Sequence, residues 1–248
     1  MSLEGKVCVV TGGASGMGAA SIRAFANAGA TTVLVDINQN GADRISKETG
    51  AFAMIGDVAN SSFCTKVADD VMRDHGQIDA LVNCAGTILR ADSINTSDNE
   101  WRRMLAVNVD GVFFMSRAVV RHMIKRASGS IVNFGSICGN VGAAGVTAYC
   151  ATKGAVHQIT RAMALDHVED GIRVNAVAPG EVNTPMLSSG RLAAPSAADL
   201  ERLAERTIPM KRLAEPEEIA EVVLFLASEK SSYMTGAIIP VDAGYTAR

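Results

Sequence analysis

Short runs of valine and isoleucine alternate with longer amphipathic segments along nearly the whole chain of 248 residues. Each run is long enough for a buried strand, and each segment between runs has the periodicity of a helix. The seven strand candidates are Lys6–Thr11, Thr31–Asp36, Ala51–Ile55, Ala80–Asn83, Ser130–Phe134, Arg173–Ala178 and Ala237–Val241. This alternation predicts a doubly wound α/β fold, with a seven-stranded parallel sheet and helices on both faces. Ligands of such sheets bind outside the carboxyl ends of the strands.

The composition favours one domain, residues 1–248, that binds a small molecule. A formal net charge of −3 provides no basic surface for nucleic acid or an anionic membrane. The chain shows neither a signal-peptide pattern nor an apolar run of about 18 residues, so we expect a cytoplasmic protein without a membrane segment. The five cysteines are scattered, and the four histidines lack zinc-site spacing. We therefore expect no disulfide framework and no catalytic metal.

Residues 185–209 stand apart from the periodic pattern. Gly190, Pro195 and several serines interrupt this segment, which ends at Pro209. Loops at the carboxyl ends of strands often act as lids, so we expect a substrate flap with a short helix near Ala198–Arg206. A plain surface excursion is the alternative.

A glycine-rich turn joins the first strand to a helix. Its sequence, Thr11-Gly-Gly-Ala-Ser-Gly-Met-Gly18, exposes backbone amides at a helix N-terminus, where a pyrophosphate is attracted. A glycine turn alone can be only a tight turn. The candidate cofactor-binding residues in it are Gly12, Ser15, Gly16, Met17 and Gly18.

Asp36 ends the second strand, eighteen residues after Gly18. An acid at this place accepts hydrogen bonds from the adenosine ribose and repels a 2′-phosphate. Neither Ser15 nor Ile37 supplies a cation for that phosphate, so the sequence favours NAD over NADP. The alternative is that Asp36 caps the following helix.

The third and fourth strands end in small or polar residues at the same sheet edge. Asp57 and Val58 follow the third strand, while Asn83, Ala85 and Gly86 end the fourth. These positions suit contacts to adenine and to the cofactor backbone, although each alone could be an Asx turn or a strand end.

Tyr149 and Lys153 lie four residues apart at the start of a helical stretch and so share one helix face. A nearby cation lowers the pKa of a phenol, which could then exchange a proton with a substrate oxygen. Ser136 lies thirteen residues before Tyr149, and Asn108 is polar among apolar helix neighbours. The alternatives are an inert surface pair and a helix-bending amide. His157 is expected to serve packing or an interface.

Together these motifs resemble the classical short-chain dehydrogenase/reductase family, whose order and approximate spacing they follow along essentially the whole chain. The resemblance implies a Rossmann-type domain in which Tyr149 is the catalytic acid/base and Ser136 orients the substrate oxygen. Lys153 would bind the nicotinamide ribose and lower the pKa of Tyr149, which also borders the cofactor. Asn108 would anchor a water-mediated proton path.

The resemblance further places the segment after the sixth strand against the nicotinamide. Its cofactor-binding residues would be Pro179, Gly180, Val182 and Thr184. It also implies a homotetramer assembled through the helices Trp101–Lys125 and Ala155–Val168.

The expected activity is reversible oxidation of a secondary alcohol to a ketone with NAD. A 3-oxoacyl reductase, which would typically use NADP, is a second enzyme hypothesis. A non-catalytic dinucleotide-sensing module and a purely structural α/β protein are the rivals from other classes.

Overall fold

A computed structural model describes residues 1–191 and 193–247. In that part of the chain seven strands form one parallel sheet in the order β3-β2-β1-β4-β5-β6-β7. The strands are β1 Val7–Thr11, β2 Thr31–Asp36, β3 Phe52–Ile55, β4 Ala80–Asn83, β5 Gly129–Phe134, β6 Ile172–Pro179 and β7 Ile238–Val241. All seven strand predictions are confirmed, with each end within one residue.

Helices connect the strands. They are α1 Gly16–Asn27, α2 Gln39–Thr49, α3 Ser61–His75, α4 Asp98–Leu105, α5 Gly111–Arg126, α6 Thr147–His167, α7 Ala197–Thr207 and α8 Pro216–Ala227. The short helix predicted near Ala198–Arg206 is therefore present as α7, and Ser196 and Asp199 form a capping box at its start. Among the described residues, no helix has both the length and the apolar character needed to cross a membrane.

The sheet is buried between two layers of helices. Successive side chains of a strand point to opposite faces, so Cys8 and Val10 of β1 pack with α1, α2 and α8. Val7 and Val9 pack on the other face, with α3, α5 and α6. Burial on both faces explains why the inner strands read as continuous apolar runs, whereas the edge strands β3 and β7 are partly exposed.

The strand order reverses between β1 and β4. β1 pairs with β2 on one side and with β4 on the other, so the loops after β1 and β4 diverge at their carboxyl ends. The crevice between such loops is where doubly wound sheets bind ligands. The glycine-rich turn, Asp36 and the end of β4 all border it.

Candidate active site

The glycine-rich turn packs tightly against the end of β4. The Thr11 hydroxyl accepts hydrogen bonds from the backbone N–H groups of Cys84 (3.2 Å) and Ala85 (3.1 Å). Gly12 has a φ of +68°, and a Cβ there would lie 2.7 Å from the Ala85 backbone. A Cβ on Gly18 would lie 2.1 Å from the Gly12 carbonyl oxygen. Both glycines are needed for the chain to turn this closely.

Asp36 joins the second strand to this turn. Its carboxylate accepts hydrogen bonds from the N–H of Ala14 at 3.0 Å and of Asn38 at 2.9 Å. Asn38, not Asp36, caps α2, because its side chain accepts from Gly41. The alternative that Asp36 is only a helix cap is therefore wrong.

A cavity of about 330 Å³ opens between the turn, Asp36 and the end of β4. Most of the residues predicted to bind the adenosine and phosphates line it: Gly12, Ser15, Gly16, Met17, Asp36, Asp57, Val58, Ala85 and Gly86. Gly12 and Gly16 line this cavity, here called the cradle, without side chains. These residues fit a dinucleotide.

Two of the residues predicted for the adenosine and phosphate part of the cofactor do not line the cavity. Gly18 instead makes room for the Gly12 carbonyl. Asn83 is buried in the sheet, where its amide nitrogen donates to Ser116 (2.9 Å) and to Asn133 (2.8 Å). Its amide oxygen has no hydrogen-bond partner among the described residues. The structure thus gives Asn83 a place in a buried polar network rather than at the cavity surface.

Arg103 of α4 lines the same cavity and was missed in the sequence. Its guanidinium lies 3.4 Å from the carboxylate of Asp57. The local sequence of α4 does not show that Arg103 will contact Asp57, which lies 46 residues earlier in the chain.

Ser136, Tyr149 and Lys153 line a second cavity, of about 240 Å³. Pro179, Gly180, Val182 and Thr184 line it too, as the resemblance implies. The two cavities are contiguous because they share wall residues, namely Met17, Cys84, Gly86, Thr184 and Met186.

The lysine of this cavity is buried, and its ammonium donates to the Phe134 carbonyl oxygen at 2.7 Å. Burial lowers the pKa of Lys153 to about 8. Burial also raises the pKa of Tyr149, while the nearby Ser136 hydroxyl acts in the opposite direction. The Lys153 nitrogen lies 5.6 Å from the centre of the Tyr149 ring. In this state burial, rather than Lys153, therefore dominates the pKa of Tyr149, unlike the lowering that the resemblance implies.

His157 packs beneath the loop that carries Ser136. Its Nε2 accepts a hydrogen bond from the Ser136 N–H at 3.4 Å, and its Nδ1 has no partner among the described residues. A Cβ on Gly135 or on Gly139 would come within 2.4 Å of the imidazole ring. The packing role expected for His157 thus places it directly under the serine.

Asn108 lies in a π-helical turn, Ala106–Asp110, between α4 and α5. Its side-chain amide donates to the Thr87 carbonyl (2.9 Å) and accepts from the Thr87 N–H (2.8 Å). The same amide also donates to the Thr152 hydroxyl at 3.1 Å, which links it to α6. Asn108 therefore holds the loop after β4 against the helix that carries Tyr149 and Lys153.

The described residues contain no cluster of three or more His, Cys, Asp or Glu side chains able to hold a metal ion. The second cavity brings together a phenol, an ammonium and a hydroxyl group, from Tyr149, Lys153 and Ser136.

Known proteins resemble this chain along almost its whole length. A family model described as enoyl-(acyl carrier protein) reductase matches residues 12–246. Galactitol 2-dehydrogenase (L-tagatose-forming) of Cereibacter sphaeroides is 42% identical over 98% of this chain and 96% of its own length. A 3-oxoacyl-[acyl-carrier-protein] reductase of Thermotoga maritima is 40% identical over 98% and 99%, respectively.

A solved structure agrees with these relatives. Aldohexose dehydrogenase of Thermoplasma acidophilum, in ligand-free form, superposes with a TM-score of 0.92 at 30% identity, covering 99% of this chain and 96% of that one. The chain belongs to the short-chain dehydrogenase/reductase family of oxidoreductases, whose cofactor is a nicotinamide dinucleotide.

Proposed function

We propose that the protein is an NAD-dependent oxidoreductase that interconverts a secondary alcohol and a ketone. One observation carries the proposal: Ser136, Tyr149 and Lys153 meet in a small cavity that shares a wall with the dinucleotide cradle. A carbinol held against the tyrosine would lie next to the reactive end of the cofactor.

The chemistry follows from these side chains. When bound, the nicotinamide supplies the acceptor for a hydride. Tyr149 as phenolate takes the hydroxyl proton, so the alcohol loses one hydride and one proton and becomes the ketone. The Ser136 hydroxyl donates a hydrogen bond to the reacting oxygen. The positive charge of Lys153 favours the phenolate and opposes the effect of burial.

Asp36 supports NAD as the cofactor, because a second negative charge at the ribose 2′ position would lie close to its carboxylate. One observation favours the rival, an NADP-dependent 3-oxoacyl reductase. Arg103 is the single cation among the described residues that line the cradle, and a relative of that activity is 40% identical. Asp57 already engages that guanidinium, so we propose NAD.

The finer expectations about assembly and location are part of the same proposal. We propose a homotetramer built on α4, α5 and α6, which is supported by large apolar side chains that these helices leave exposed: Phe113, Ile124 and Leu165. Five free thiols are consistent with a cytoplasmic location. Residues 185–209 would act as the substrate flap.

A tyrosine variant tests the function. The Tyr149→Phe variant should keep its fold and its NADH affinity but lose at least about 10²-fold in kcat, because only the proton-exchanging hydroxyl is removed. The assay follows NADH absorbance with a panel of secondary alcohols, and NADH fluorescence measures cofactor binding. Tyr233→Phe is the matched control, since Tyr233 is fully exposed. Near-normal turnover by Tyr149→Phe, under conditions where hydride transfer limits the rate, would exclude this mechanism.

A further inference from the structure

Two opposite charges face the substrate cavity without touching each other. Arg90 follows β4 and Glu181 follows β6, and both line the cavity together with Tyr149. The described residues show no ion pair or hydrogen bond between the two side chains. Neither charge is therefore paired with the other at the cavity wall.

The guanidinium of Arg90 is held in place by one bond. Its Nε donates to the Ser189 carbonyl oxygen at 3.1 Å, which ties Arg90 to the proposed flap. Its two terminal nitrogens, and both carboxylate oxygens of Glu181, have no hydrogen-bond partner within the described ranges. The cavity wall thus carries free donors on Arg90 and free acceptors on Glu181.

Both charges act on the catalytic end of the cavity. Burial and Arg191 lower the pKa of Arg90, and Glu181 opposes that effect. Glu181 also contributes to the raised pKa of Tyr149. Arg90, Glu181 and Tyr149 line the same cavity, so a substrate held against the tyrosine shares that cavity with both charges.

The remaining walls restrict the size and shape of the substrate. Ile88, Ala143, Ala144, Val146 and Leu187 supply apolar surface that suits a carbon chain. The volume of about 240 Å³ is below the roughly 300–1,000 Å³ typical of ligand pockets, which favours a small substrate.

We propose that Arg90 and Glu181 form a subsite for adjacent hydroxyl groups, and that the substrate is a small neutral polyol or the corresponding hydroxyketone. This inference rests on the proposed function. A hydroxyl group can donate to Glu181 and accept from Arg90, so vicinal hydroxyls satisfy both charges. A carboxylate could pair with Arg90 but would leave Glu181 unpaired and be repelled by it, while an aliphatic chain would desolvate both charges without pairing them.

Matched substrates test the subsite. Hexitols (galactitol, sorbitol and mannitol), 2-hexanol and 5-hydroxyhexanoate have carbon chains of equal length and differ in the groups that reach Arg90 and Glu181. The wild type should show a kcat/KM for the best hexitol at least about tenfold above that for 2-hexanol and for the hydroxy acid. Using several hexitols prevents the configuration at one carbinol from deciding the result.

Variants connect the preference to the two charges. Arg90→Met and Glu181→Gln should each lower the hexitol to 2-hexanol ratio by about tenfold. Glu181→Gln should also raise kcat/KM for 5-hydroxyhexanoate, because the repulsion is removed. Arg44→Met and Glu221→Gln, which alter exposed residues outside both cavities, serve as matched controls and should leave every ratio unchanged.

A binding measurement separates failure of the subsite from failure of the proposed function. Hexitol binding to the enzyme–NADH complex, followed by NADH fluorescence, should be about tenfold weaker in Arg90→Met than in the wild type. Tyr149-dependent turnover of 2-hexanol without a hexitol preference would overturn the subsite and leave the oxidoreductase function intact. Absence of turnover with every alcohol would overturn the proposed function, and absence of hexitol binding would independently overturn the subsite.

Discussion

Acid should destabilise the wild type more than a variant that lacks His157. In the folded protein, burial and the positive charges of Arg161 and Lys153 lower the pKa of His157 to about 4. An unfolded histidine titrates near 6.5, so the unfolded chain binds the extra proton between these two values. The stability that neutral His157 contributes is complete above about pH 6.5 and is lost as the pH falls towards 4.

The loss of free energy of unfolding on acidification follows from the lowered pKa of His157. A difference of about 2.5 pKa units corresponds to about 3 kcal/mol, of which about 2.5 kcal/mol is lost by pH 4.5. For a chain of this length, that loss lowers Tm by roughly 5–10 °C more in the wild type than in a variant without the imidazole. The carboxylates that titrate in the same range cancel in the comparison.

The assay is urea unfolding at pH 7.5 and at pH 4.5 for the wild type, His157→Gln and His157→Leu. Both variants should lose less free energy of unfolding on acidification, whatever their stability at pH 7.5. Glutamine can still accept the Ser136 N–H, so His157→Gln should keep more turnover than His157→Leu. His75→Gln is the control, because that side chain is not fully buried. Equal acid sensitivity in all four proteins would refute the account of His157.

Two further predictions concern the cofactor and the catalytic phenol. The wild type should prefer NAD over NADP by at least about tenfold in kcat/KM, and Asp36→Ala should narrow that gap; an unchanged ratio would remove Asp36 from the ribose. Alkaline difference spectra of the cofactor-free protein, wild type minus Tyr149→Phe, should show Tyr149 ionising above the ordinary tyrosine value of about 10, because burial raises its pKa. Ionisation below that value would show that the charge of Lys153 outweighs burial.

The fold was predictable because the five inner strands, β1, β2, β4, β5 and β6, are largely buried on both faces, whereas the edge strands β3 and β7 are partly exposed. That burial demands uninterrupted runs such as Val7–Thr11, which periodicity recognises without knowledge of the tertiary contacts. The glycine turn and Asp36 were found for a related reason, since both occupy ends of such strands. That Asp36 does not cap α2 is shown only by the side chain of Asn38, which does.

Other parts of the site depend on contacts between distant segments. The cavities are also lined by Arg103 on α4, by Arg90 on the loop after β4 and by Glu181 on the loop after β6. These three segments come together only in the folded protein, and no local sequence pattern predicts that they do. Asn83 is the reverse case, a residue that the sequence assigned to the cofactor site and that does not line the cavity. Its position at a strand end predicted a surface role, but the side chain points into a buried network with Asn133. The sequence does not show which side of the pleat faces the crevice.

The walls of the substrate cavity differ in their attachment to the rest of the molecule. Ser136 and Lys153 are tied to β5 and α6, whereas Arg90, Glu181 and Met186 lie on loops after β4 and β6. A change of preferred substrate can therefore arise by exchange of these loops while the proton-transfer groups keep their support. In protein engineering, residues 88–90 and 181–187 are therefore the two loop segments to exchange between relatives when a different substrate preference is wanted.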